Sequence, residues 1–274
     1  MITASSTSHK IELVVFDWAG TTVDFGCFAP VAAFVAAFAD KGVELSAIEA
    51  RGPMGLHKRD HIRTLLEDEA IAERWQSSNG CEWSEADVDD LYHRFTPLQI
   101  KEAARFTDLI PGVLEAQEYL RTHGIKLGST TGYPRAVMEP VIKAATEQGY
   151  HPDHIICADE VPAGRPAPWM IFSNMQALDV YPPCRVLKVG DTVPDIEAGL
   201  NAGTWSIGLC DTGSEVGLTR DEWEALTDDE QKSRRQIAAD KFRAVGAHQV
   251  IPSVADLPVV IDLLNRKLQA GERP

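Results

Sequence analysis

The chain has 274 residues, enough for one large domain or for a core with a smaller companion domain. Its formal net charge of −15 argues against nucleic acid as a partner, because a phosphate backbone requires a basic face. The longest apolar run, residues 27–39, is interrupted by Pro30 and is too short to span a bilayer. We therefore expect a globular protein that binds a small molecule, without a nucleic-acid or membrane partner.

The cysteines and the first residues bear on the cellular compartment. Five cysteines are scattered along the chain without a CxxC pair, which favours free thiols over disulfides or a zinc site. The opening residues, MITASSTSHK, are polar and lack the apolar region of a signal peptide. Both features predict a cytoplasmic protein.

The first part of the chain combines one strand with a helical segment. Residues 11–16 are apolar and β-branched and lead into a Gly-Thr turn, which predicts a buried strand. Residues 25–105 show no strand pattern, and Pro30 suits a first helical turn. Capping-box pairs indicate two further helix starts, at Ser46 with Glu49 and at Ser84 with Asp87. We therefore predict an all-helical insert.

Strands and helices alternate after Pro111. The predicted strands are 125–129, 154–158, 186–189 and 205–209, and the predicted helices are 112–123, 135–148, 169–178 and 194–202. We expect a last strand at 249–252 and a last helix at 256–269, while 211–247 is predicted to be helical and has no assigned role. This pattern predicts an α/β fold with a doubly wound, parallel, Rossmann-like sheet. The predicted domains are a core of 1–24 and 106–274 and a helical cap of 25–105.

Three polar segments follow predicted strands. Ligands bind such sheets at the carboxyl ends of the strands, so Asp17, residues 129–131 and Asp191 should converge. Asp17 precedes Gly-Thr-Thr, a turn rich in donors that could hold a phosphoryl group for attack. An ordinary strand-to-helix turn explains that segment equally well.

The other polar segments suggest a metal and an anion. Asp191 and Asp195 lie four residues apart at the mouth of a helix and could bind Mg²⁺ together with Asp17. Helix capping by Asp191 or Thr192 is the alternative, but it does not explain both acids. Residues 128–133 offer hydroxyls and backbone N–H groups after a strand, and Arg165 could pair with phosphate oxygens, although a polar loop and a solvated arginine are the simpler interpretations.

Taken in order and spacing, these segments resemble the haloacid dehalogenase superfamily of aspartyl-phosphate enzymes, over essentially the whole chain. Phosphatases of that superfamily carry a second Asp two residues after the nucleophile, which protonates an oxygen leaving group. Ala19 occupies that position here. Either the site is inactive, or the leaving group does not need that acid.

A carbon–phosphorus bond fits the second possibility. A simple carbanion is too unstable to leave, but a lysine that forms an imine with an adjacent aldehyde provides an electron sink. Lys58 follows a Pro/Gly turn in the predicted cap, and His57, Arg59 and His61 could lower its pKa. The alternative is a solvated lysine on a helix face.

The segments FDWAGTTVD, PMGLHKRDH, GSTTGY, VPAGRPAPW and KVGDTVPD together resemble the phosphonatase family. The resemblance implies that Asp17 is the nucleophile and Lys58 the imine-forming amine in hydrolysis of phosphonoacetaldehyde. It also implies Mg²⁺ held by Asp17, the backbone carbonyl of Ala19 and Asp191, with Asp195 supporting the metal ligands. The implied substrate-binding residues are Thr131, Arg165, Met54, His61, Cys27 and Tyr133.

The sequence leaves two alternative functions open, and the resemblance also bears on the oligomeric state. One rival is a phosphate-ester phosphatase or phosphomutase of the same superfamily, against which Ala19 speaks. The other is a non-catalytic phosphometabolite-binding protein. The resemblance implies a homodimer, often formed through cap helices. The apolar face of Val31, Phe34, Val35 and Phe38 could form that interface, but core packing explains it equally well.

Overall fold

A computed structural model describes residues 10–54 and 56–274. The polar residues 1–9, on which part of the cytoplasmic prediction rests, lie outside this description. Six strands form one sheet in the order β3-β2-β1-β4-β5-β6, and every neighbouring pair is parallel. The strands are β1 Leu13–Phe16, β2 Lys126–Thr131, β3 His154–Cys157, β4 Val186–Gly190, β5 Trp205–Leu209 and β6 Gln249–Ile251.

Twelve α-helices occur in the described residues. The five between β1 and β2 are α1 Phe28–Ala39, α2 Ala47–Arg51, α3 Lys58–Glu67, α4 Glu69–Asn79 and α5 Glu85–Ala103. The others are α6 Val113–Thr122, α7 Arg135–Glu147, α8 Trp169–Ala177, α9 Val193–Asn201, α10 Arg220–Glu224, α11 Asp228–Ala244 and α12 Leu257–Gln269. The alternation of strands and helices after β2 confirms the predicted α/β class.

Alternate residues of β1 explain why helices cover both faces of the sheet. Val14 and Phe16 pack into a cluster with α6, α7 and α12. Leu13 and Val15 point to the opposite face and pack with α8 and α9. Because both faces are buried, β1 appears in the sequence as a continuous apolar run. The sheet is therefore doubly wound, as predicted.

The helices between β1 and β2 bury a hydrophobic cluster of their own. Phe34 of α1 stacks on Phe95 of α5 with ring centroids 4.4 Å apart. Val31, Phe34 and Phe38 are buried within this cluster, so core packing accounts for most of the apolar face of α1. The C-terminal end of α5 instead packs on the other cluster, through Ala103. The domain boundaries at 24/25 and 105/106 remain a prediction.

The predicted helix ends and starts can be compared with the structure. Gly124 and Gly149 follow α6 and α7 with φ of 67° and 100°, a backbone conformation that glycine adopts without strain. Helix α4 was not predicted individually; the side chain of Asp68 caps it by accepting from Ala70 N and Ile71 N. The predicted helicity of 211–247 was partly wrong, because the residues before α10 form a loop. No helix in the described part of the chain is long and apolar enough to cross a membrane.

The strand order determines where a ligand can enter. Strand β1 pairs with β2 on one side and β4 on the other, so the chain changes direction across the sheet at β1. The carboxyl ends of strands at such a switch point leave a crevice between loops. Asp17 follows β1, Thr131 ends β2 and Asp191 follows β4. The predicted convergence of these segments is therefore confirmed.

Candidate active site

Three carboxylates meet at this crevice. Asp17, Asp191 and Asp195 each place a carboxylate oxygen within 4.8 Å of the other two. All three side chains are buried. Asp195 joins them because the first turn of α9 begins directly after the β4 loop. Like charges at this distance in the interior repel strongly unless cations lie nearby.

Two buried cations compensate part of this charge. Arg165 places Nη1 3.0 Å from Oδ1 of Asp17 and also pairs with Asp195. Lys188 Nζ lies 2.7 Å from Oδ1 of Asp195. Burial raises the pKa of Asp195, but Arg165 and Lys188 outweigh it and hold that pKa at about 2. Lys188 was not among the predicted site residues, although a lysine inside the apolar strand Val-Leu-Lys-Val-Gly is a visible signal.

Asp191 lacks such compensation. Among the described residues no lysine or arginine lies within 4.0 Å of its carboxylate, which accepts instead from Thr21 Oγ1 at 3.1 Å and Ser214 N at 2.9 Å. Burial and the neighbouring charge of Asp17 raise its pKa to about 8. Burial likewise raises the pKa of Asp17, although Arg165 opposes this shift. The pair therefore needs a further cation to be fully ionised near neutral pH.

The surroundings of Asp191 fit a metal ion. The three carboxylates offer oxygen donors, which suit a hard cation. Gly20 and Gly213 lie so close to the Asp191 carboxylate that a Cβ at either position would collide with it. The capping alternative does not hold, since Thr192 Oγ1 donates to Asp195 Oδ2 at 2.6 Å and gives α9 no side-chain cap.

A small pocket opens beside this cluster, between the sheet and α1 and α3. Asp17 and Lys58 lie on its walls, and Asp17 is the only carboxylate among the described residues that line it. Its other walls are Ala19, Cys27, Pro30, Met54, Thr131, Gly132, Tyr133, Arg165 and Thr192. Pro30, Gly132 and Thr192 were not among the predicted binding residues.

Lys58 is a buried lysine on the wall of the pocket. It is the first residue of α3, only 4% exposed, with Nζ 5.5 Å from the ring centroid of Phe34 and 5.6 Å from that of Tyr133. Burial is the main cause that lowers its pKa to about 8; the charge of Arg165 contributes to this shift, while Cys27 and Asp17 oppose it. The lysine is thus not the solvated residue of the alternative interpretation.

The predicted cause of this pKa shift was wrong for Arg59. Arg59 turns outward and pairs with Asp89 and Glu85 at 2.7 and 2.9 Å. His57 is partly exposed, with Nδ1 4.0 Å from Asp60. The desolvation of the amine, rather than the basic residues beside it in sequence, accounts for most of the shift.

The placement of His61 also corrects a prediction. His61 does not line the pocket; it lies in the interior of the helical cluster, stacked on Phe34 with centroids 3.8 Å apart. Its Nε2 is 2.9 Å from the carbonyl oxygen of Ala50. Burial and the charge of Lys58 hold its pKa well below the usual range. His61 is therefore a neutral residue packed behind the pocket rather than a wall that touches substrate.

The remaining predicted residues do line the pocket. Burial raises the pKa of the Cys27 thiol and of the Tyr133 hydroxyl, so both stay neutral. Thr131 accepts a hydrogen bond from Tyr133 N at 3.1 Å, which fixes the turn after β2. Met54 contributes an apolar wall. The structure thus brings together two chemically distinct halves, an anion site on the sheet and a desolvated lysine amine on α3.

Comparisons with known proteins agree with this geometry. Residues 11–203 match the family model described as haloacid dehalogenase-like hydrolase. The chain is 49% identical to phosphonoacetaldehyde hydrolase of Aeromonas hydrophila, covering 99% of this chain and 98% of that protein. It is 47% identical to phosphonoacetaldehyde hydrolase of Salmonella newport, covering 97% of this chain and all of that protein.

A solved structure gives the same result. The phosphonoacetaldehyde hydrolase-like protein of Oleispira antarctica superimposes with a TM-score of 0.95 at 44% identity, with both chains fully covered. The chain therefore belongs to the haloacid dehalogenase-like hydrolases and, within them, to the phosphonoacetaldehyde hydrolase family. It is an enzyme of the hydrolase class.

The buried amine generates a prediction about stability. Below pH 8 Lys58 is protonated in both the folded and unfolded states, but only the folded state holds the charge in a desolvated place. Lys58→Met should therefore raise the free energy of unfolding by about 1–3 kcal/mol at pH 7. The gain should shrink as pH rises from about 8 towards the ordinary lysine pKa of about 10.4, because the wild type then loses its buried charge.

Urea unfolding of the wild type and Lys58→Met between pH 6.5 and 10 measures this effect. Lys101→Met, at an exposed position on α5, is the matched control and should show no comparable pH-dependent gain. Equal stability of Lys58→Met and the wild type at pH 7 would contradict a strained, buried amine.

Proposed function

We propose that the enzyme hydrolyses the carbon–phosphorus bond of phosphonoacetaldehyde to acetaldehyde and phosphate. One observation carries this proposal: Asp17 and Lys58 line the same small pocket, one a nucleophilic carboxylate and the other an amine whose pKa burial lowers to about 8. A phosphonate with an aldehyde two atoms from phosphorus would engage both groups at once. The full-length similarity to named phosphonoacetaldehyde hydrolases supports the same substrate.

The first chemical step belongs to Lys58. An amine with a pKa of about 8 is partly unprotonated near neutral pH and can attack the aldehyde carbon. Loss of water then gives a protonated imine that joins Nζ to the substrate carbon. This cation lies next to the C–P bond and can accept the electron pair that the bond releases.

The second step belongs to Asp17. Its carboxylate attacks phosphorus, the C–P bond breaks, and the electron pair passes into the imine to form an enamine. Protonation at carbon and hydrolysis return the Lys58 amine and release acetaldehyde. A water molecule then cleaves the aspartyl-phosphate, which regenerates Asp17 and releases phosphate. Arg165 and Thr131, which share the pocket with Asp17, would hold the phosphonate oxygens during attack.

The metal in this proposal is Mg²⁺, held by Asp17, Asp191 and the backbone carbonyl of Ala19, with Asp195 holding Arg165 and Lys188 beside them. When bound, Mg²⁺ supplies positive charge that reduces the repulsion between the phosphonate and the carboxylates. The chain's own contribution is to keep this cluster dry and fixed, because buried groups cannot reorganise as water does.

Ala19 argues against the phosphatase and phosphomutase alternatives. An ester substrate needs an acid to protonate the departing oxygen. Among the described residues that line the pocket, no carboxylate besides Asp17 is present, and the side chain of Ala19 is only a methyl group. An enamine leaving group does not require such an acid. The same pairing of nucleophile and amine also argues against a site that merely binds a phosphometabolite.

Borohydride reduction tests the imine. Incubation with phosphonoacetaldehyde and sodium borohydride should fix a two-carbon adduct on Lys58, identified by peptide mass spectrometry. Lys58→Arg keeps the positive charge but cannot form the imine in this way, so its turnover should fall by about 10³-fold or more. Lys101→Arg is the control. Near-normal turnover of Lys58→Arg, or an adduct confined to another lysine, would refute this mechanism.

Phosphate release tests the other half of the site. Turnover of phosphonoacetaldehyde should require Mg²⁺ and be lost in Asp17→Ala, whose missing carboxylate removes the nucleophile. Asp191→Asn should shift the Mg²⁺ requirement to higher concentration, whereas Asp240→Asn, exposed on α11, should not. Full activity after removal of divalent metal by a chelator would contradict the metal assignment. Release of phosphate from simple phosphate esters at a comparable rate would favour the phosphatase.

A homodimer and a cytoplasmic location complete the proposal. The family resemblance supports the dimer, and its interface must use surfaces other than Val31, Phe34 and Phe38, which are buried within the chain. The five free cysteines, three of them buried, support a reducing compartment. Analytical ultracentrifugation should give twice the chain mass of 30.0 kDa. A single species with the mass of one chain would exclude the dimer.

A further inference from the structure

The loop Asp211–Leu218, which we call the strap, follows β5 and contacts the metal side of the site. Thr212 Oγ1 donates to the carbonyl oxygen of Gly20 at 2.8 Å. Ser214 N donates to Asp191 Oδ2 at 2.9 Å, and Gly213 lies directly against the same carboxylate. The strap therefore fixes the orientation of Asp191 and of the turn that follows the nucleophile.

The strap also contacts the linker between β1 and the helices. Gly26 N donates to the carbonyl oxygen of Thr212 at 2.8 Å, and the carbonyl of Leu218 lies so close to Gly26 that a Cβ there would collide with it. Gly26 has a φ of 85°, and Asp24 and Cys27 on either side have φ of 57° and 55°. Three residues in this unusual conformation make the linker a sharply defined bend rather than a loose tether.

Arg51, at the end of α2, joins the helices to both segments. Its Nη1 donates to the carbonyl oxygens of Gly26 and Cys27 at 2.6 and 3.3 Å. Its guanidinium lies 4.8 Å from the ring centroid of Phe28. A Cβ on Gly217 would lie 2.8 Å from Arg51 Nε, so the strap closes directly over this arginine. Arg51 is thus the residue through which α2 rests on the linker and the strap.

The strap is itself tied to the core. Arg235 of α11 donates to Asp211 with Nε at 2.7 Å and Nη2 at 2.5 Å from its carboxylate oxygens. Asp211 N donates to the carbonyl oxygen of Pro252 at 3.0 Å. These contacts fix the start of the strap at Asp211. A displacement of Gly26 must therefore move the residues that follow, Thr212 to Ser214, which contact Gly20 and Asp191.

We propose that the strap couples the seating of the helical cap to the geometry of Asp191, with Thr212 and Arg51 as positioning residues. This inference rests on the proposed metal site. Because energetic coupling between two sites is reciprocal, metal bound at Asp191 favours the seated cap, and the seated cap favours metal binding. The cap, which carries Lys58, would then be held over the substrate most firmly when the metal is bound at Asp191.

Calorimetric titration of the metal-free protein with MgCl₂, without substrate, tests the coupling independently of turnover. Among the described residues, Arg51 makes no hydrogen bond or ion pair with the three carboxylates, yet Arg51→Met should weaken Mg²⁺ binding by about threefold to tenfold. Thr212→Val should weaken it similarly, and Thr212→Ser, which keeps the hydroxyl, should restore it. The double variant should lose less than the product of the single effects, because both residues act through one segment.

Two matched variants control for general damage. Arg74→Met removes another cap arginine, which donates to the carbonyl of Glu44 and pairs with Glu49. Thr204→Val removes another buried hydroxyl, bonded to the carbonyl of Gly199 at 3.0 Å. Both should leave Mg²⁺ affinity within about twofold of the wild type. If Arg51→Met does not fold, Arg51→Lys, which keeps the charge but whose side chain is one atom shorter than the reach to Nη1, provides the same measurement.

The outcomes separate the coupling from the metal site. Unchanged Mg²⁺ affinity in the folded Arg51 variant, or effects of Arg51 and Thr212 that multiply fully, would overturn the strap proposal and leave the proposed function intact. Failure of the wild-type protein to bind Mg²⁺ at all would overturn the metal site and the strap proposal together.

Discussion

Three carboxylates held within 4.8 Å of one another in a protein interior repel, and much of the surrounding structure serves to make that arrangement tolerable. Arg165 and Lys188 offset Asp195 and part of Asp17, and both cations are themselves buried. Asp191 is left with a hydroxyl and a backbone N–H as donors. The parallel sheet provides the framework, since the switch at β1 brings segments distant in sequence to one edge.

The helical side of the pocket differs from the sheet edge in its electrostatics, because it surrounds a single amine with apolar groups. The sheet edge concentrates charge and compensates it, whereas the environment of Lys58 removes water and offers aromatic faces instead of carboxylates. His61 and Cys27 extend this neutral environment, because burial keeps both uncharged. One chain thus provides a charged environment at the sheet edge and an apolar environment around the amine, and the proposed mechanism requires both.

Most strands and helices could be predicted from local sequence patterns, because these elements have strong periodicity and their ends have glycine or capping signals. The strands were placed to within about two residues, and Trp205–Leu209 matched fully. The predictions failed where structure depends on distant partners. The loop before α10 is held by Arg235 and Thr212, and no local pattern in 211–247 indicates those contacts.

The candidate site divides in the same way. Asp17, Lys58 and Arg165 could be identified from short motifs, because each motif combines chemistry with turn-forming residues. The packing of His61 against Phe34 and the role of Lys188 depend on how elements meet, which spacing alone does not reveal. The outward turn of Arg59 is a similar case: adjacency in sequence suggested an influence on Lys58 that the helix geometry prevents.

The burial of Lys58 has a consequence for which aldehydes can react with it. The amine is reactive because the helices exclude water from it, so any motion that lifts them would rehydrate Nζ and raise its pKa towards that of an ordinary lysine. In the proposed mechanism, an aldehyde that meets the open enzyme would then find a smaller fraction of unprotonated amine than in the closed pocket. Desolvation would therefore favour imine formation with molecules small enough to be enclosed.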